Sequence, residues 1–341
     1  MLGVDDDLQA LGRVRHSNLT LQPVPTEMDS ILVLINAGAG TVKKAGADTF
    51  SRQVSEGLAQ RGVKASVVVV EGGELKARAH EFAQVPGGAR PRTLIVGGGD
   101  GTVNTAAAVC ASSDIVLGLL PLGTLNHFAK DLGIPVVLDG ALDVIAAGNV
   151  RTVDAGEVNG RLFVNNSSIG IYPFLVDQRD SEQKKRKVGK LVALVPALFR
   201  TMRSASWHRI TLTTEGPEPA MRGTRRTPCL FVGNNSYDLT ELGKRSSLSA
   251  GTLCVYIVRR GSWWGVVTLP FKIAFQRTLG HLDAERDIEL LKVSAVSIRS
   301  HRPRLRIAID GETVHERTPL VYRSRPGALR VLAPAAQEAG Q

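Results

Sequence analysis

The sequence predicts two domains in tandem: an α/β domain built on a parallel sheet, then an all-β antiparallel domain. Three observations carry this. The chain has 341 residues, which at roughly 100–200 residues per domain makes about two. Short β-branched runs alternate with helical stretches between Ile31 and Gly148, the pattern of a parallel sheet with helical crossovers. After Val150 the segments become strand-like and are separated by turns, which suits an antiparallel β domain.

Each element follows from its residues. Residues 1–29 are polar and mixed without a period and read as a loosely ordered extension. Ile31–Ile35 is a buried parallel strand by pattern. A glycine turn, Asn36–Gly40, follows it, and Ala45–Arg61 reads as a helix ending near Gly62. Ala65–Val70 is a strand, Leu75–Ala83 a helix, and Thr93–Val96 a strand running into a second glycine turn. Thr102–Ala111 is a helix and Val116–Leu120 a strand. These elements make a domain over residues 30–150. In the second domain, residues 151–317, the strand-like segments are Leu162–Asn165, His208–Thr213, Leu230–Gly233, Thr252–Val258, Ser294–Ser300 and Leu305–Ile309. Two helical stretches lie near Gly189–Arg203 and Val266–Leu279. Pattern alone does not place the isolated strand Ala328–Leu332.

Composition narrows the function classes. Hydrophobic residues at 43% and charged residues at 22% are those of a soluble globular chain and exclude global disorder. No apolar run approaches the ~20 residues of a membrane span; Leu191–Phe199 and Trp263–Phe275 are broken by Pro196, Pro270 and Lys272. The N-terminus, with Asp5, Asp6 and Asp7, does not read as a secretory or transit signal. Cys110, Cys229 and Cys254 are odd in number and unspaced, which excludes a disulfide framework or a C-x-x-C metal site and points to a reducing cytoplasm.

Charge is divided unevenly. Residues 1–170 hold 14 basic and 17 acidic residues, or −3, whereas residues 171–341 hold 28 and 15, or +13. This asymmetry points to an anionic partner for the second half, nucleic acid or an anionic membrane surface.

Four motifs carry chemistry. Val96-Gly97-Gly98-Gly99-Asp100-Gly101-Thr102-Val103-Asn104 lies between a buried strand and a helix, at the ligand-bearing edge of a parallel sheet. Its glycines let backbone N–H groups approach a phosphate, and the helix adds its positive N-terminal end. Thr102 can donate a hydroxyl hydrogen bond. An aspartate in such a loop repels phosphate unless it handles a cation or a proton, so Asp100 is a candidate for Mg²⁺ contact or general-base work. The plain alternative is a tight turn with Asp100 as helix cap, but a triple glycine with Asp-Gly-Thr exceeds what a cap needs. Asn36-Ala37-Gly38-Ala39-Gly40-Thr41 follows another strand and makes a second phosphate wall, with Lys43 and Lys44 either adding charge or simply solvated. Leu120–Lys130 follows a third strand and offers donors at Gly123, Thr124 and Asn126. Asp310-Gly311-Glu312 reads by pattern as a hairpin, although its two carboxylates could also project into a cleft facing the phosphate loops. There is no G-x-x-x-x-G-K-[ST] loop, dinucleotide fingerprint or nucleophile elbow.

In this order the motifs resemble the diacylglycerol kinase catalytic family, and more closely the bacterial soluble lipid kinases related to sphingosine kinases. The resemblance spans about residues 30–333 and includes Val153–Gly156 and Asn165–Gly170. It implies an N-terminal ATP-binding α/β domain of the phosphofructokinase and NAD-kinase type, and a C-terminal antiparallel β-sandwich that binds lipid. Residues 318–333 would return to complete the first domain, which places Ala328–Leu332. It implies that Gly98, Gly99, Gly101 and Thr102 contact ATP phosphates and that Asp100 sits with Mg²⁺ at the reacting centre. Asn36, Gly40, Thr41, Gly123, Thr124 and Asn126 would line the nucleotide site, with Glu312 the base for the lipid hydroxyl and Asp310 its support. Two positions depart from the family. His127 stands where an acid of the Mg²⁺ network is usual, and Ala250 where an aspartate helps hold a structural Mg²⁺.

The resulting expectation is an ATP- and Mg²⁺-dependent lipid kinase acting on a hydroxyl of diacylglycerol, a sphingoid base, ceramide or phosphatidylglycerol. It would be cytoplasmic and peripherally bound to an anionic membrane, with no nucleic-acid partner; a homodimer is left open. The segment Lys184-Lys185-Arg186-Lys187 with Lys190, Arg200, Arg203 and Arg209 suits such a surface, as do Trp263 and Trp264, against a solvated loop and a core-packed Trp. The alternatives are an NAD kinase, which shares the Gly-Gly-Asp-Gly-Thr loop, and a non-catalytic lipid- or nucleotide-binding regulator.

Overall fold

The computed structural model describes residues 30–85, 92–170, 207–236, 245, 247–258 and 288–335. The expected N-terminal extension, both helical stretches of the second half, the basic segment at 184–203 and Trp263 and Trp264 lie outside the described residues.

Strands β1 (Ile31–Asn36), β2 (Ser66–Val70), β3 (Arg92–Gly98) and β4 (Ile115–Pro121) are parallel, in the order β2-β1-β3-β4. Their central members are continuous Val, Leu and Ile runs because both faces are covered. The helices are α1 (Gly40–Ala45), α2 (Ala47–Gln60), α3 (Leu75–Gln84), α4 (Asp100–Cys110), α5 (His127–Asp131) and α6 (Leu138–Ala147). On α2 the residues Phe50, Val54 and Leu58 recur every four positions and form its buried face. The single helix expected over Ala45–Arg61 is two, because Gly46 at φ 86° breaks the path. The helix after the triple glycine begins at Asp100 rather than Thr102, since extended Gly99 serves as its N-cap.

The remaining strands are β5 (Val150–Val158), β6 (Arg161–Phe163), β7 (Asn166–Gly170), β8 (His208–Glu215), β9 (Arg222–Thr227), β10 (Cys229–Asn234), β11 (Leu253–Val258), β12 (Ile288–Val293), β13 (Ala295–Ser300), β14 (Arg304–Ile309), β15 (Glu312–Arg317) and β16 (Leu320–Leu332). A six-stranded antiparallel sheet runs β12-β11-β10-β7-β14-β15. The first sheet does not stop at β4; it continues through β16, β13, β8 and β9, with β5 and β6 alongside β16.

β16 joins the two parts. Arg330 and Val331 pair in parallel with Val116 and Leu117 of β4, while Leu320–Arg323 pair antiparallel with β13. Its register against β5 shifts between Arg325 and Leu329, around Pro326 and Gly327, a proline being tolerated in a strand where the ladder is interrupted. β5 does not read as a strand in the sequence, because Asp154 and Gly156 interrupt its β-forming residues. Gly156 is needed there, since a Cβ would fall 2.2 Å from the Phe163 ring.

Two cores result. One lies between the parallel sheet and its helices. The other fills the sandwich, with Ile210, Leu212, Val296, Ile298 and Tyr322 facing Leu230, Val232, Val255, Ile257 and Ile307. Buried Tyr322 is satisfied by the Ser167 hydroxyl at 3.0 Å.

Candidate active site

Three loops leave the sheet at the C-terminal ends of β1, β3 and β4, which are adjacent. β2 lies on one side of β1 and β3 on the other. The strand order therefore reverses at the β1–β3 crevice, where open α/β sheets bind ligands.

Short contacts that need glycine lock the three loops together. Asn36 Nδ2 donates to Thr102 Oγ1 at 3.0 Å, and Asn36 Oδ1 accepts from the Gly38 amide at 2.8 Å. A Cβ on Gly98 would fall 2.4 Å from Thr102 Oγ1, and one on Gly123 would fall 2.5 Å from Gly99 Cα. The third loop turns at Asn126, which sits at φ 51°, a left-handed conformation that asparagine tolerates. Its side chain accepts from Gly123 N at 3.0 Å and donates to Gly123 O at 2.8 Å.

A cavity of about 630 Å³ opens between these loops. Of the residues singled out in the sequence, Asn36, Gly40, Thr41, Gly99, Gly101, Thr102, Gly123, Thr124 and Glu312 line it, as does Lys44. Gly72, Leu75, Thr105 and Leu122 also line it; Leu122 belongs to the third motif, whereas Leu75, Thr105 and Gly72, in the Glu71-Gly72-Gly73-Glu74 turn after β2, are not among the residues singled out in the sequence. Gly98 and Asn126 are buried beneath the loops as scaffold. No side chain caps α4, so the positive end of that helix meets the cavity through Gly101 and Thr102.

Asp100 and Asp310 are placed by hydrogen bonds just outside this lining. Asp100 does not cap its own helix. Its Oδ1 accepts the His127 backbone N–H at 2.9 Å and so caps α5 instead. The His127 side chain is exposed. Asp310 and Gly311 lie at φ 45° and 87°, and Ile309 pairs with Glu312, the geometry of a two-residue type I′ hairpin. The hairpin reading holds, and the cleft reading holds for Glu312 but not for Asp310. The turn is a hairpin, and it carries Glu312 to the first turn of α4, where Oε1 lies 2.9 Å from the Cβ position of Gly101.

The Asp310 carboxylate is not at the cavity surface. It accepts the amides of Val164, Asn165 and Asn166 at 2.7, 2.9 and 2.8 Å. Burial pushes its pKa up to about 6, while the three amides and the charge of Arg245 pull it back. These amides are why the strand expected over Leu162–Asn165 splits into β6 and β7: a carboxylate takes the N–H groups that would otherwise enter a ladder.

Arg245 is the residue that sequence reasoning missed most completely. Its side chain is 0% exposed and donates from Nε to Asp131 Oδ2 at 2.8 Å. It also donates to Val164 O at 2.6 Å and to Asn165 Oδ1 at 3.4 Å, and lies 5.5 Å over the Phe128 ring. It thereby ties α5 to the turn that cradles Asp310. A second buried carboxylate, Asp154, accepts from Gly251 N at 2.7 Å and Gly327 N at 2.9 Å, with Ala250 exposed beside it.

Among the described residues no group of three or more His, Cys, Asp or Glu side chains converges. The carboxylates of Asp100 and Glu312 lie near the glycine loops of the cavity instead. This donor set fits a Mg²⁺ carried on phosphates and held by one or two carboxylates, rather than one caged by protein.

Residues 30–158 match the diacylglycerol kinase catalytic domain. Over 112 residues the chain is 39% identical to the probable lipid kinase YegS of Escherichia coli O1:K1 and, equally, to the protein of that name from Shigella boydii serotype 18; the match covers 32% of this chain. The chain spans 38% of the length of these curated relatives. The crystal structure of a diacylglycerol kinase from Bacillus anthracis strain Sterne superposes with a TM-score of 0.65 at 20% identity, over 92% of this chain and 99% of that one. A second structure from the same organism superposes at 0.68 with 23% identity, over 92% of this chain and 98% of that one. At such identities the likeness is one of fold, and it covers both sheets. Residues 30–158 thus resemble the diacylglycerol kinase catalytic domain, within a chain whose two-part fold is like that of these Bacillus proteins.

Proposed function

We propose that the chain is an ATP-dependent lipid kinase. It transfers the γ-phosphoryl group to a hydroxyl of diacylglycerol or of a related lipid such as a sphingoid base, ceramide or phosphatidylglycerol. The observation that carries this reading is Glu312: a carboxylate from the antiparallel sheet reaches the uncapped N-terminus of α4 beside a glycine-lined cavity.

The chemistry follows from the residues. First-turn amides of α4 and the close-packed backbone at Gly99 and Gly123 bind phosphate oxygens. Because Thr102 Oγ1 accepts from Asn36 Nδ2, its own proton is left to donate to phosphate. Lys44 at the cavity wall adds positive charge. Asp100 is the carboxylate positioned to hold a divalent cation, which when bound neutralises phosphate charge. Glu312 accepts the proton of the attacking lipid hydroxyl. Such transfers depend chiefly on positioning and electrostatics, and both follow here from loops locked against each other and a base fixed by a hairpin. The enzyme works peripherally at a membrane surface; no helix among the described residues is long and apolar enough to cross one.

The test is transfer of labelled γ-phosphate from ATP to a panel of micellar lipids, with and without Mg²⁺, with NAD as a control acceptor. Labelled lipid that forms only with metal, and is lost in Asp100→Ala and Glu312→Gln, supports the reading. Formation of NADP, or ATP binding with no transfer to any lipid, overturns it.

A further inference from the structure

Strand β8 pairs with β9 on one side and β13 on the other. Ile210, Leu212, Val296 and Ile298 point into the sandwich core. The opposite face carries Arg209, directly across from Arg226, and Arg299, across from Thr211. All three arginines are exposed. Among the described residues none of them is in an ion pair. Between them lie Thr211 and Thr224, whose hydroxyls bond to each other at 3.2 Å.

This arrangement is not what folding alone favours. Like charges directly opposite on paired strands are destabilising. Charge on an edge strand guards against edge-to-edge pairing, but that accounts only for Arg226 on β9, since β8 and β13 are interior strands. Further positive charge gathers at the same end of the sheet. The His208 pKa is lowered by burial and then by the neighbouring charges of Arg302 and His301. Half-exposed Trp207 immediately precedes β8, and an indole is suited to the level of lipid headgroups.

We propose that the outward face of β13, β8 and β9 docks the protein on an anionic phospholipid bilayer, with Arg209, Arg226 and Arg299 binding lipid phosphates. Guanidinium forks match phosphate oxygens, and an open sheet face can engage many laterally mobile headgroups at once. The choice of a bilayer over another polyanion rests on the lipid-kinase reading.

The experiment is co-sedimentation of the full chain, without nucleotide, with phosphatidylcholine vesicles and with vesicles containing one third phosphatidylglycerol. The variant R209Q/R226Q/R299Q is compared with R52Q/K76Q/R151Q, which removes the same charge from other exposed sites. Each basic residue near an anionic surface strengthens partitioning about fivefold, so the face variant is expected to bind the anionic vesicles roughly 100-fold more weakly, with a melting temperature equal to or above that of the wild type. The control variant is expected to lose far less. Equal losses in the two variants, equal binding to neutral vesicles, or no binding of the wild-type chain would each overturn the proposal. So would a duplex DNA fragment that displaces the vesicles through the same arginines. Phosphotransfer to lipid in detergent micelles is measured in parallel. Vesicle binding without such transfer sinks the kinase reading and leaves docking in place, and transfer without vesicle binding does the reverse.

Discussion

Adding one methyl group at Gly101 would test the proposed pairing of base and phosphate site directly. Gly101 is the second residue of α4 and is not in the left-handed region, so alanine is allowed there and helix propensity favours it by up to about 1 kcal/mol. The new Cβ would lie 2.9 Å from Glu312 Oε1, where ordinary contacts begin at 3.4 Å. The carboxylate must therefore retreat by about 0.5 Å, the difference of those two distances. Glu312 is exposed, so the retreat costs little folding energy. It does move the proposed base. A misplacement of 1 Å can cost about 100-fold in rate, so half of that predicts about a tenfold fall in kcat. The expected outcome for Gly101→Ala is a melting temperature equal to or above wild type, with kcat reduced about tenfold and KM for ATP changed much less. Combining it with Glu312→Asp should abolish the added effect, because the shorter acid no longer meets the methyl group. Steady-state kinetics on micellar lipid and thermal melts read both quantities. An unchanged kcat in Gly101→Ala, or additive losses in the double variant, would refute the pairing.

Three further outcomes are expected. Gly123→Ala drives a Cβ to 2.5 Å from Gly99 Cα, where backbone cannot yield cheaply; it should cost about 1–3 kcal/mol and weaken ATP binding, and a wild-type urea melt would contradict this. Arg245→Met leaves Asp131 without its buried partner and should cost about 3 kcal/mol, much of it recovered in Arg245→Met/Asp131→Leu, as chemical denaturation would show. Asp310 should titrate near pH 6 by carboxyl carbon NMR. Because its folded pKa is raised above the ordinary value of about 3.9, its contribution to stability is full below that pH and is lost as pH rises through 6. Asp310→Asn should remove that slope, and a midpoint below 4 would show that the three amides outweigh burial.

The parallel half was legible because its strands are continuous apolar runs that end in glycine turns, and each of those turns does sit at the cavity. The edge strands β9 and β12 were not, since Arg222–Thr227 is half arginine and Ile288–Val293 has no clean alternation. Glu312 was legible only through the order of motifs, because a hairpin sequence says nothing about what stands opposite it. Arg245 left no trace at all. A basic residue in a loop looks solvated until Asp131, distant in sequence, is brought beside it. Asn126 illustrates a subtler limit: its residue type was informative, but the sequence could not separate lining a pocket from holding the loop that lines it.

The pairing of β16 with both β4 and β13 sets an order of events during synthesis. β4 and the loop that follows it leave the ribosome early, with the strand edge that will meet Arg330 and Val331 still bare. The arm bearing Glu312 follows much later, and the strand that ties it to the first sheet comes after it. Until β16 inserts, the nascent chain holds a glycine-loop edge and an acidic hairpin with no fixed distance between them. Such late, non-local closure makes folding slow and leaves a long-lived open strand edge, so a chaperone that shields β4 would act on the same contact that later sets the geometry of the cleft.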